Sequence, residues 1–196
     1  MALVITDKAL RLILDAEGLD QPAKWPGGGS GITLGIGYYL GYVTVEQFEQ
    51  DWGPILSADQ MERLKTAIGL KGGAAQMRAP QFADIRITRP QGEEVFKKRT
   101  LPLHSGRTEQ AFPGVDQLPP DAQGALVSLV FNRGPAMDGD RRKEMRAVRD
   151  AVAKKDLPEI ARQIRAMKRL WEGQGLDGLL RRRDAEAALV ESTIRR

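Results

Sequence analysis

The chain contains no cysteine and only one histidine, His104. Disulfide scaffolds, cysteine-ligated zinc and thiol nucleophiles are therefore excluded. A histidine-rich metal site is excluded with them, and serine–histidine–aspartate chemistry would have to run through His104 alone. Lack of cysteine is compatible with an oxidising compartment but shows no dependence on one. No apolar run approaches the roughly 18 residues that a membrane-spanning helix needs. No basic stretch leading into an apolar run marks the N-terminus as a secretory leader. Low-complexity tracts are missing, so disorder is not the expected state.

What remains is an ordinary globular composition: 196 residues, 41% hydrophobic, 29% charged and 6% aromatic. A chain of that length can bury a real core, as one domain or as two joined lobes. The formal net charge is +4, unevenly distributed: the first 60 positions lean acidic, and the stretch from Arg141 onward is dense in Arg and Lys. A basic surface can meet nucleic acid, anionic lipid or an anionic cell wall, and charge alone does not choose among them. A solvated helix face explains the same pattern.

Hydrophobic spacing predicts a short helix over residues 6–16, capped by Thr6 or Asp7 and ending near Gly18. Pro22 and the run Pro26-Gly27-Gly28-Gly29 force a loop. From Ile32 to Tyr39, large apolar residues alternate with small ones at period two, which reads as a strand or hairpin arm weakened by its glycines. Helical spacing follows in Val45, Phe48, Trp52, Ile55 and Leu56, then in Met61, Leu64 and Ile68. A short helix is expected within 69–81. Pro90-Gln91-Gly92, between Ile85, Ile87, Val95 and Phe96, suggests a small hairpin or an insertion over 84–103. Pro119-Pro120-Asp121 opens a helix through Phe131 that is apolar nearly all round, ended by Asn132-Arg133-Gly134-Pro135. Further helices are expected at 140–154, 157–172 and 181–194. The sum is a mainly α, α+β chain with a small early hairpin and a helical C-terminal body.

The stretch richest in chemistry begins at Glu17-Gly18, passes Trp25-Pro26-Gly27-Gly28, and ends in Thr33-Leu34-Gly35-Ile36-Gly37-Tyr38. A carboxyl group at the end of a helix, in partly apolar surroundings, can act as a general acid near neutral pH. Alternation along a single strand would set Thr33, Gly35, Gly37 and Tyr39 on one face, with the two glycines leaving an open floor for bulky sugar rings. Trp25 could stack on a pyranose or plug the loop.

These residues resemble the phage-type lysozymes of glycoside hydrolase family 24, and more closely their pesticin-like members. That pattern has a Glu after the first helix and a Thr-(apolar)-Gly-x-Gly-Tyr-Asp-Leu-Gly run. Glu17, Thr33, Gly35, Gly37, Tyr38, Leu40 and Gly41 match it, and the likeness resumes at Ala125–Gly134, Asp140–Met145 and Leu179–Glu186. The resemblance implies a two-lobed lysozyme-like fold spanning 1–196, with a hairpin lobe at about 17–60, a variable insertion at about 71–113 and a helical lobe at about 118–196. It implies hydrolysis of the β-1,4 bond between N-acetylmuramic acid and N-acetylglucosamine in peptidoglycan, with no cofactor and no metal. Glu17 would be the acid, Thr33 would hold the attacking water, and Trp25, Gly35, Gly37, Tyr38, Asn132 and Arg133 would contact the substrate.

One position departs from the pattern. Tyr39 stands where the pesticin-like members carry the second catalytic Asp. A phenol is neutral near pH 7 and is a poor substitute for a general base. The resemblance therefore implies a muramidase impaired at Tyr39, or a non-enzymatic peptidoglycan-binding module that keeps the lysozyme cleft. Asp15 and Asp20 flank Glu17, and Asp20 is a candidate replacement acid, although an Asp before Pro22 also serves as a turn residue. Arg141, Arg142 and Arg181–Arg183 could meet the carboxylates and phosphates of a wall, whereas Arg183 and Glu186 also read as an exposed helical pair. Trp52 and Trp171 read as core, and His104 as a loop histidine. The implied partners are glycan strands and a cognate immunity or inhibitor protein, with no nucleic acid and a monomeric state. The expected place of action is the periplasm or wall. Delivery would be by a holin, a phage particle or, as a toxin effector, a secretion system.

Overall fold

The computed structural model describes residues 3–18 and 20–194, with the side chains of residues 20 and 21 left outside that description. Two compact units emerge, one of residues 17–102 and the other of residues 1–16 with 103–196.

The first unit carries the sheet. Strands β1 (Asp20–Lys24), β2 (Thr33–Gly35) and β3 (Tyr38–Tyr39) pair antiparallel in that order. Thr33 lies opposite Tyr39, and Leu34 opposite Tyr38. The period-two run is thus not one strand but a tight hairpin. It turns at Ile36-Gly37, where Gly35 and Gly37 take positive φ values of 59° and 63°. Such left-handed conformations come at little cost only to glycine, so the same residues that weaken a strand define a turn.

Three helices of this unit start on capping boxes, in which a hydroxyl and a glutamine three residues on satisfy each other's backbone N–H groups. Thr44 and Gln47 open α2 (Val45–Trp52), Ser57 and Gln60 open α3 (Ala58–Lys65), and Thr88 and Gln91 open α5 (Arg89–Val95). Between them lies α4 (Gly72–Arg78). The hairpin expected over 84–103 is not formed. Thr88-x-x-Gln91 starts a helix, and Pro90 sits in its first turn, where no N–H is needed. A π-helical turn at Phe96–Thr100 then leads into α6 (Leu101–Ala111). That widened turn stands just before Pro102, which has no N–H to donate to the preceding turn.

The second unit is helical. Thr6 accepts from the backbone N–H of Ala9 at 3.2 Å and starts α1 (Asp7–Ala16). Around α7 (Pro120–Arg133), buried without a break from Asp121 to Val130, pack α8 (Lys143–Ala153), α9 (Leu157–Ala166) and α10 (Asp177–Glu191). A Cβ at Gly124 would come within 2.1 Å of the Ala9 methyl, so this glycine is what lets α1 lie directly on α7.

Arg183 and Glu186 are not the exposed pair that their spacing suggested. Both side chains are 0% exposed. Glu186 Oε1 accepts from Ser128 Oγ at 2.6 Å and from Arg183 Nη2 at 2.8 Å, while Arg182 Nη2 donates to the Ser128 carbonyl at 3.1 Å. The reason is tertiary: α10 faces α7, and the pair is sealed between them. Burial lowers the affinity of the Arg183 guanidinium for its proton, against the opposing pull of Glu186. No helix among the described residues is long and apolar enough to cross a membrane.

Candidate active site

Glu17 follows α1 directly and is half-buried. Gly18 beyond it has open space where a side chain would be. Within the same unit, Thr33 is 1% exposed, and its Oγ1 has no hydrogen-bond partner among the described residues. A buried hydroxyl left unsatisfied costs on the order of 1–3 kcal/mol, so a group of this kind is available to bind a water or a polar ligand atom. Across the hairpin, Tyr39 is 41% exposed, and its ring meets Tyr42 edge to face at 6.4 Å. Lys71 Nζ lies 4.0 Å over the Tyr42 ring.

Tyr38 and Gly35, which the resemblance sets among the substrate contacts, are both buried in this unit. Tyr38 is 3% exposed and faces the core, where it meets Trp52 edge to face at 5.6 Å. Its hydroxyl donates to Asp51 Oδ2 at 3.0 Å. Burial, followed by the Asp51 charge, pushes the Tyr38 phenol far above its ordinary range. Asp51 also takes a two-pronged contact from Arg99, with Nε at 2.7 Å and Nη2 at 3.1 Å. Gly35 provides no open floor: a Cβ there would lie 2.8 Å from the Trp52 ring, so the indole fills that space. Gly37, half-buried, belongs to the turn.

The hairpin is thus anchored from beneath. Tyr38 reaches down to α2, and the π-helical turn clamps α2 from the far side through Arg99 to Asp51 and through Lys98 Nζ to the Gln50 carbonyl at 2.9 Å. Sequence reasoning passed over Asp51 and Arg99. The available signal was an acid on an apolar helical stripe: Phe48, Asp51 and Trp52 share one face and are all buried.

Trp25 is half-buried, packs on the apolar core of its unit and donates through Nε1 to the Ser30 carbonyl at 3.0 Å. Asp15 is exposed, and the side chain of Asp20 lies outside the described residues. In the other unit, Asn132 and Arg133 end α7, where Arg133 Nη2 donates to the Arg141 carbonyl at 2.7 Å. His104 is not a loop residue but part of α6. It packs on Phe131 at 4.5 Å, and burial, with Arg107 nearby, lowers its pKa to about 4. Trp171 is buried in the helical core and Trp52 in the hairpin unit. Among the described residues no group of three or more His, Asp or Glu is placed to hold a metal ion.

Comparison with curated proteins gives no match. Among solved structures the chain is similar to the active form of the P1 phage endolysin Lyz, at 19% identity and a TM-score of 0.57, over 97% of this chain and 86% of that one. At that identity the likeness shows a shared fold. The family model described as phage lysozyme matches residues 17–186, from the candidate acid to the buried glutamate of α10. With most of its length matched, and with Glu17, the Thr33 hairpin and the helical body in that order, the chain belongs to the phage lysozyme family.

Proposed function

We propose that this chain acts on peptidoglycan as a muramidase, cleaving the bond between N-acetylmuramic acid and N-acetylglucosamine, with Glu17 as general acid and Thr33 as the residue that orients water. The observation that carries this reading is the Thr33 hydroxyl, buried and without a hydrogen-bond partner among the described residues, in the same unit as the half-buried Glu17. Inverting hydrolysis needs an acid for the leaving oxygen and a base for the water, about 6.5–9.5 Å apart. A hydroxyl can hold that water, because it both donates and accepts, but it cannot take its proton.

Tyr39, directly opposite Thr33 in the hairpin, stands where the pesticin-like pattern carries the base. Turnover is therefore low in this chain. General base catalysis typically contributes about 10²–10⁴-fold, so Tyr39→Asp raises the rate of peptidoglycan clearance by a factor in that range. The assay is loss of turbidity in purified sacculi together with release of reducing ends. Unchanged lysis in Tyr39→Asp overturns the assignment of position 39, and unchanged lysis in Tyr39→Asp/Glu17→Gln relative to Tyr39→Asp overturns Glu17 as the acid.

One observation favours a second reading, a wall-binding module without turnover. The exposed Tyr39 and Tyr42 rings, held at right angles, offer the kind of aromatic surface on which pyranose rings stack. Binding to sacculi without any release of reducing ends, lost in Tyr39→Ala and Tyr42→Ala, selects it. The site of action on either reading is the bacterial wall.

A further inference from the structure

A cavity of about 440 Å³ opens in the helical unit, lined by Asn132 and Arg133 at the end of α7, Asp138, Arg141 and Arg142 in the following loop, and Trp171 and Leu179. That volume falls within the usual range for small-molecule sites, about 300–1,000 Å³. Three guanidinium groups meet one carboxylate on its walls. The acids that could balance them are engaged elsewhere: Arg169 binds Glu144 Oε2 at 3.2 Å and Asp140 Oδ2 at 3.4 Å. Arg141 and Arg142 form no ion pair among the described residues.

The donors are set but not used. Arg133 is held over the Trp171 ring at 5.0 Å and tied to the Arg141 carbonyl, yet its Nε is buried and unpartnered among the described residues. Arg142 Nη1 is in the same condition. Burial, and then repulsion from Arg142, Arg183 and Arg141, brings the Arg133 pKa down to about 10. A cluster of like charges with idle, desolvated donors is stabilised by an anion. The fork of a guanidinium matches a carboxylate in particular. Trp171 and Leu179 add an apolar wall, which an inorganic ion would not use and an organic body would.

We infer that this cavity is a recognition site for an organic carboxylate, with Arg133 and Arg142 as its anion-binding residues. Resting on the proposed peptidoglycan substrate, the carboxylate is that of the peptide attached to the muramic acid.

Binding to the full chain is measured by titration calorimetry with three probes: a muramyl dipeptide bearing a free carboxylate, its carboxamide, and inorganic phosphate. The acid is expected to bind at least tenfold more tightly than the amide and than phosphate. Arg142→Gln and Arg133→Gln, each checked for a native unfolding transition, are expected to weaken the acid at least tenfold while leaving the amide unchanged. Equal binding of acid and amide, parental affinity in both variants, or phosphate binding as tight as the dipeptide overturns the inference. The probe has no glycosidic bond to cleave, so these results are independent of Tyr39→Asp lysis. A failure here leaves the muramidase reading standing, and a failure there leaves the carboxylate site standing.

Discussion

Replacing Asp51 by Ala tests how the hairpin is held. The Asp51 carboxylate is buried and accepts from the Tyr38 hydroxyl and from two nitrogens of Arg99. Removing one partner of a fully buried ion pair costs about 3–5 kcal/mol. Here Arg99 is 34% exposed against 0% for Asp51, so water takes over part of its solvation and the arginine contributes less to the loss. The Tyr38 phenol has no such recourse at 3% exposure. The expected cost of Asp51→Ala is therefore about 2–4 kcal/mol. For a chain of this size that corresponds to a fall in Tm of roughly 5–15 °C. Tyr38→Phe removes a single hydrogen bond to a charged acceptor and costs about 1–2 kcal/mol. Urea unfolding followed by tryptophan fluorescence reads both, since Trp52 packs against Tyr38. The double variant should lose at least about 0.5 kcal/mol less than the sum of the singles, because the two residues share one bond. A loss below about 1 kcal/mol in Asp51→Ala, or strict additivity in the double variant, refutes the picture of a hairpin anchored through this carboxylate.

Glu186→Ala should cost about 3–5 kcal/mol, because it strands the fully buried Arg183 without its counter-charge; Arg183→Met/Glu186→Leu should recover a large part of that in the same unfolding assay. His104 should make the protein less stable in mild acid. Its pKa is lowered from 6.5 to about 4 in the folded state. Between those values the unfolded chain takes up a proton that the native chain does not, so stability falls as pH drops through that window. Thermal unfolding across that range should be flatter in His104→Gln, and an identical slope in both proteins would refute the assignment.

Much of the fold could be read in the sequence, because its signals are local. Thr6 marks a helix start through chemistry confined to one turn, and the mostly apolar surface of 122–131 can be satisfied only by burial. The same local logic failed at 84–103. Pro90 and Gly92 look like a turn until the Thr88–Gln91 capping box is weighed against them, and a proline in the first turn of a helix costs nothing. Of the candidate site, Glu17, Thr33 and Tyr39 were singled out by the resemblance, and the roles given to them are the proposal made above. The burial of Gly35 was not legible, because alternation along one strand says nothing of a two-residue turn that reverses the chain, nor of an indole from another helix that fills the space beneath.

The sequence by itself determined the mainly helical class, the early hairpin and the helical C-terminal body, all of which depend on residues near one another in the chain. Only the tertiary structure decided which charges are buried. Asp51 with Arg99, 48 positions apart, and Ser128 with Glu186, 58 apart, meet through packing between elements. So does the cation cluster of Arg133 and Arg142 with Trp171. The energy of a charge depends on its access to water and on its nearest counter-charge, and both are properties of the assembled fold.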